Sequence, residues 1–127
     1  MKIENIRFKA KRLDNEEWCE GYFYEENGNT YIIENRQKES MLNRNVTYEV
    51  NPSTVCMYTG LKDCNGNEIW EGDIVKYKDT NGERKGIINW NEELTAFCFG
   101  YYFLLCHFPS ENMVVIGNKF DKKGGEQ

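Results

Sequence analysis

One stretch, Tyr58 to Tyr77, constrains the fold more than any other part of the chain. It reads YTGLKDCNGNEIWEGDIVKY. Asp63-Cys64-Asn65-Gly66 puts Asp at the first and Gly at the fourth position of a tight turn. Gly66 suits a positive φ that a side chain resists. Glu71-Gly72-Asp73 supplies a second turn, and short β-prone pieces lie on either side of each. A chain that reverses this often in so few residues is built from short antiparallel strands.

The flanking sequence follows the same grammar. From Ile3 to Leu13 the residues alternate, with Ile6, Phe8 and Ala10 on one face and Arg7, Lys9 and Lys11 on the other. Trp18 to Glu25 and Thr30 to Glu34 read as strands joined by Asn27-Gly28, a strong short-range hairpin signal. Asn35 to Asn45 is a polar connection whose only apolar pair is Met41-Leu42. Val46, Tyr48 and Val50 alternate until Asn51-Pro52, and Thr54 to Tyr58 forms the next strand. Asp73 to Lys78 and Arg84 to Trp90 flank a second hairpin signal, Asn81-Gly82. Gly86 in mid-strand marks a bend or a close backbone approach. Leu94 to Tyr102 and Met113 to Ile116 complete the set. A meander of strands of about five residues buries one face only if the sheet curls on itself. The expected fold is therefore all-β. A β-meander lobe spans residues 1–60, an SH3-like small barrel spans 61–120, and a charged, Gly-rich disordered tail covers 121–127.

Composition limits the classes of function. Seven Phe, eight Tyr and three Trp favour pleated surfaces, and eleven Gly against two Pro favour tight turns. The net charge of -5 argues against a nucleic-acid binder with a basic field over its whole surface. Five cysteines, an odd number, and an N-terminus without an apolar core segment point to reduced thiols in a cytoplasm. No uncharged run is long enough for a membrane span of about 20 residues.

Three segments carry a family resemblance: YTGLKDCNGNEIWEGDIV at Tyr58 to Val75, RFKA at Arg7 to Ala10, and VIGN at Val115 to Asn118. Together they resemble the YopX family, encoded mainly by phages and prophages of bacteria. The resemblance spans nearly the whole chain and implies a β-rich fold with an SH3-type C-terminal part. It carries no catalytic residue, cofactor or metal ligand onto these positions. Cys64 departs from the family pattern, standing in a turn position where Lys or another polar residue is usual.

Candidate sites fall into four groups. Trp70, Tyr77 and Trp90 are expected to line a concave aromatic surface with Glu71 and Asp73 on its rim, because aromatic anchors dominate interface energetics. Arg7, Lys9 and Lys11 repeat at about 6.5 Å along a strand, a spacing that tracks a phosphate backbone. Trp18, Tyr22 and Tyr24 lie nearby for base stacking. The plainer reading is a solvated face that resists edge-to-edge aggregation. Asp63, Glu68, Glu71 and Asp73 suit a hard cation, yet turn chemistry accounts for Asp63 and Asp73 without one. Cys106 and His107 are adjacent, so they face opposite sides of an extended strand and form no thiol–imidazole pair. The cysteines are expected to be buried structural thiols.

The run Phe97, Phe99, Tyr101 and Phe103, with Cys98, Tyr102 and Leu104 on its other face, is apolar on both sides and must be covered on both. The expected cover is the N-terminal lobe or a second copy. The reading is a non-enzymatic accessory protein of the bacterial cytoplasm. It acts by binding a host or phage protein or by self-association, without cofactor, metal or membrane. The alternative is a nucleic-acid-binding factor using Arg7, Lys9 and Lys11.

Overall fold

The computed structural model describes residues 2–35, 45–100 and 103–121. The polar connection over 36–44, the pair Tyr101-Tyr102 and the tail from 122 onward lie outside the described residues. The chain divides into two units, Met1–Met57 and Tyr58–Gln127. The change of unit falls slightly before the expected boundary at residue 60. All strand pairing is antiparallel, and the described residues contain no α-helix. No helix among them is long and apolar enough to cross a membrane.

The first unit is a meander of β1 (Phe8–Lys11), β2 (Trp18–Glu26), β3 (Asn29–Asn35) and β4 (Asn45–Val50). Ile3–Asn5, expected to extend β1, forms a 3-10 turn instead. Asn27 and Gly28 take φ of 54° and 84° and set Glu26 opposite Asn29. Two successive positive φ values make a type I′ turn, whose twist matches that of the strands it joins. Asn51 ends β4 by accepting the amide of Ser53 at 3.0 Å, and Pro52 opens a 3-10 turn. β4 also curls toward the end of β1. Val50 bridges Arg12, the Leu13 amide donates to the Glu49 carbonyl, and the Asn51 amide donates to the Lys11 carbonyl. The core holds Ala10, Cys19, Ile32 and Val50, with Phe8, Tyr48 and Val55 packed against it. These are the inward positions that the alternation of Phe8 with Ala10 and of Tyr48 with Val50 marks out.

β5 (Cys56–Lys62) begins in the first unit, where Cys56 and Met57 pair with Lys9 and Phe8. Its remainder belongs to the second unit and pairs with β6 (Glu68–Trp70), through Tyr58 opposite Trp70 and Lys62 opposite Glu68. The register shifts between these pairs, and Gly60 there takes φ of 86°. This is a bulge of the kind glycine permits. β7 (Asp73–Asp79), β8 (Gly82–Asn91), β9 (Ala96–Phe99), β10 (Phe103–Leu104) and β11 (Met113–Asn118) form a five-stranded sheet in the order β10-β9-β8-β7-β11. The tip of the β7–β8 hairpin is Thr80 and Asn81, one residue earlier than expected, because Asp79 pairs with Gly82. Ile69, Val75, Tyr77, Ile88, Phe99, Leu105 and Met113 form its core.

Two expectations change here. The aromatic run does not form one strand. β9 stops at Phe99, Gly100 takes φ of 79°, and Phe103 returns to pair with Phe99. A glycine free to adopt the left-handed conformation reverses the chain where a side chain would resist it. Nor do the described strands of the second unit close into a barrel, since β10 and β11 remain the sheet's edges. β10 is too short to bridge the gap, and the chain leaves it for 3-10 turns at Leu105–His107 and Ser110–Asn112.

Candidate functional site: an apolar cleft in the second unit

The opening beside β10 is a cleft of about 550 Å³. It is lined by Thr59 and Leu61 of β5, Ala96 and Phe97 of β9 and Leu104 of β10. Leu105, Cys106 and Phe108 to Glu111 complete it. Thr59 is fixed in place: its hydroxyl donates to the Ile69 carbonyl at 2.6 Å and accepts the Leu61 amide at 3.2 Å. Phe108 is held by rings. Tyr77 and Phe99 meet it edge-on at centroid distances of 5.0 and 5.2 Å, and Phe103 lies at 6.3 Å. Phe97 is braced by Trp90 at 5.2 Å. Leu61, Phe97 and Phe108 pack on the core while remaining partly exposed. Glu111 is the one charged side chain among the described residues lining the cleft.

The residues singled out in the sequence scatter. Trp70 and Tyr77 are each only 5% exposed and belong to the interior, whereas Trp90 is 41% exposed. The three therefore do not line one open surface. An alternating aromatic pattern reads the same for a core face as for a binding face, so the sequence did not distinguish them. Asp73, expected on a rim, is buried; it accepts the Trp70 amide at 2.7 Å and the Asn118 side-chain amide at 3.0 Å. The neighbouring Glu71 carbonyl accepts from the same Asn118 amide at 3.4 Å. Asp63 is buried as well and takes the amides of Asn65, Asn67 and Val115 at 2.8–2.9 Å. These carboxylates tie turns together.

On the first unit, the ammonium groups of Lys9 and Lys11 lie 4.6 and 4.7 Å from the Trp18 ring centre, and Arg7 pairs with Glu20 at 3.0 Å. Cys19, Cys56 and Cys98 are buried, but Cys64 and Cys106 are exposed, so only part of the thiol set is structural. Cys106 and His107 share a 3-10 turn and are both exposed.

Leu61, Phe108 and Glu111 escaped sequence reasoning. Two signals bore on them: Gly60 within a strand, and a run from Phe97 to Leu104 needing cover on both faces. The cover supplied for one face is partial, and the cleft is what remains.

The fold and site define an antiparallel β protein of two small units, the second carrying an open, aromatic-walled cleft. The chain belongs to the YopX family, whose model, described as YopX protein, matches residues 7–123. A comparison with curated proteins finds no match.

Proposed function

We propose that this chain acts by contact and not by turnover, as a binding module that seats an apolar protein segment in the cleft between β5 and β9. The single observation that carries this reading is the cleft itself. Its volume of about 550 Å³ falls in the size range of ligand sites. Its walls are aromatic and aliphatic side chains already fixed by packing, so little order is lost when a partner docks. In this reading the second unit is an SH3-like barrel left open along β10. In this proposal the chain is a phage or prophage accessory protein of the bacterial cytoplasm, a setting that the family resemblance supports, and its partner is a host protein, a phage protein or another copy. The nucleic-acid reading has less support, because the Trp18 ring that would stack on a base already carries Lys9 and Lys11.

Cys106 lines the cleft and Cys64 does not, and both are exposed. A benzophenone attached to Cys106 in a Cys64→Ser background should crosslink a discrete partner, or a second copy, in bacterial lysate. The same group on Cys64 in a Cys106→Ser background should not. Leu104→Arg should abolish the Cys106 product. Equal products from both positions, or products indifferent to Leu104→Arg, would mean that the cleft is not the contact surface.

A further inference from the structure

We infer that the segment seated in the cleft is basic: an extended peptide that inserts a leucine- or phenylalanine-sized side chain and sets a lysine or arginine opposite Glu111. This rests on the binding reading above and deepens it. Glu111 is exposed, lies on the 3-10 turn at Ser110–Asn112, and enters no ion pair among the described residues. Among the described residues lining the cleft it is the one charged side chain; the Arg84 guanidinium, 5.8 Å from the Phe108 ring centre, already has Asp79 at 3.9 Å, so the sign offered to a ligand is negative. The net charge of -5 adds a long-range field of the same sign, which attracts a cationic partner and repels an acidic one.

An extended conformation follows from the strand that lines the cleft. Among the described residues β10 pairs with β9 at Cys98 and Phe99, whereas β8 pairs with β9 from Ala96 onward. Ala96 and Phe97 therefore have β8 on one side, and they line the cleft together with Leu105 and Cys106 of the 3-10 turn that packs near β9. An extended segment laid in the cleft along β9 sets alternate side chains toward its apolar lining.

Three labelled peptides test this on the full chain by fluorescence anisotropy at low salt. One carries Leu-Phe between lysines, one carries Leu-Phe between glutamates, and one keeps the lysines but replaces Leu-Phe by Ser-Ser. The lysine-flanked Leu-Phe peptide should bind best. Glutamate flanks should weaken it about fivefold, the scale of one exposed ion pair, and the Ser-Ser peptide should not bind. Glu111→Gln should narrow the gap between the first two to what the remaining net charge supplies, and Glu111→Lys should narrow it further, whereas an exchange of an exposed glutamate outside the cleft, Glu92→Gln, should leave it unchanged. Equal affinity of the two Leu-Phe peptides for the native chain overturns the basic-partner inference and leaves the binding reading standing. No binding by either overturns both. Ser-Ser binding as tight as Leu-Phe makes the effect mere electrostatics and also overturns the inference. So does a dimer, seen by sedimentation equilibrium, that Leu104→Arg dissociates, for the cleft then takes a second copy.

Discussion

Asp63 is the residue whose chemistry is most consequential for stability. Burial pushes its carboxyl group upward, but hydrogen bonds from the amides of Val115, Asn67 and Asn65 and from the Asn67 side chain outweigh that and hold it below the ordinary carboxylate range. A depressed folded-state value stabilises the protein above the unfolded range near 4, and that stabilisation is lost as pH falls through the folded value. Asp63→Asn places an amide among amide donors and removes the charge. It should cost about 1–3 kcal/mol at pH 7, and the difference from the native chain should shrink at pH 3. Urea denaturation of both proteins at the two pH values checks this, and a penalty that does not change with pH would refute the charge argument. The turn around Asp63 was legible in the sequence, since Asp at its first position and Gly66 at its fourth are local requirements. The bond from the Val115 amide was not, because it joins residues 52 apart and nothing in either neighbourhood announces the other.

Among the elements, the glycines separate what local pattern reveals from what packing imposes. A Cβ on Gly86 would lie 2.9 Å from the Phe99 ring. Phe99 is buried and cannot swing clear, so Gly86→Ala should cost about 1–3 kcal/mol by overpacking. A Cβ on Gly21 would lie 1.9 Å from the Ile33 carbonyl oxygen, a backbone atom. Gly21→Ala must therefore part β2 from β3, and it should be the more damaging substitution in thermal unfolding followed by circular dichroism. Equal losses from the two would contradict the distinction between a ring that yields slightly and a backbone that cannot. Gly86 drew notice because it interrupts a strand pattern between Arg84 and Trp90. Gly21 sits in an aromatic run that reads as a strand regardless, and its constraint comes from a neighbouring strand. The hairpin at Asn27-Gly28 was legible for the opposite reason: two adjacent residues suited to positive φ define the turn without outside help. Gly100 shows the limit of that logic, since a single glycine in an apolar run fits equally a continuous strand and a reversal.

At the scale of the whole molecule, the sequence revealed the β class and most strand positions but not which aromatic faces stay open. Trp70 and Tyr77 are enclosed, and the cleft is lined by Phe97, Leu104 and Phe108 together with Leu61, which comes from a strand far earlier in the chain. The cysteines report this arrangement directly. Burial raises Cys98 and, with Glu34 adding to it, pushes Cys19 up to about 11, and the Cys56 thiol meets the Thr54 carbonyl at 3.3 Å. Neither burial nor a raised value favours the reactive thiolate. At pH 8 the native chain should react quickly at two thiols, Cys64 and Cys106, and at all five only in denaturant. Counting thiols with a chromogenic disulfide checks it, and a third fast thiol in the native chain would mean that one of the two cores is more open than described. The same assay reaches the site. Saturating lysine-flanked Leu-Phe peptide should slow Cys106 and leave Cys64 unchanged, because only Cys106 lines the cleft. If both thiols slow together, the peptide is shielding the surface at large and not filling the space between β5 and β9.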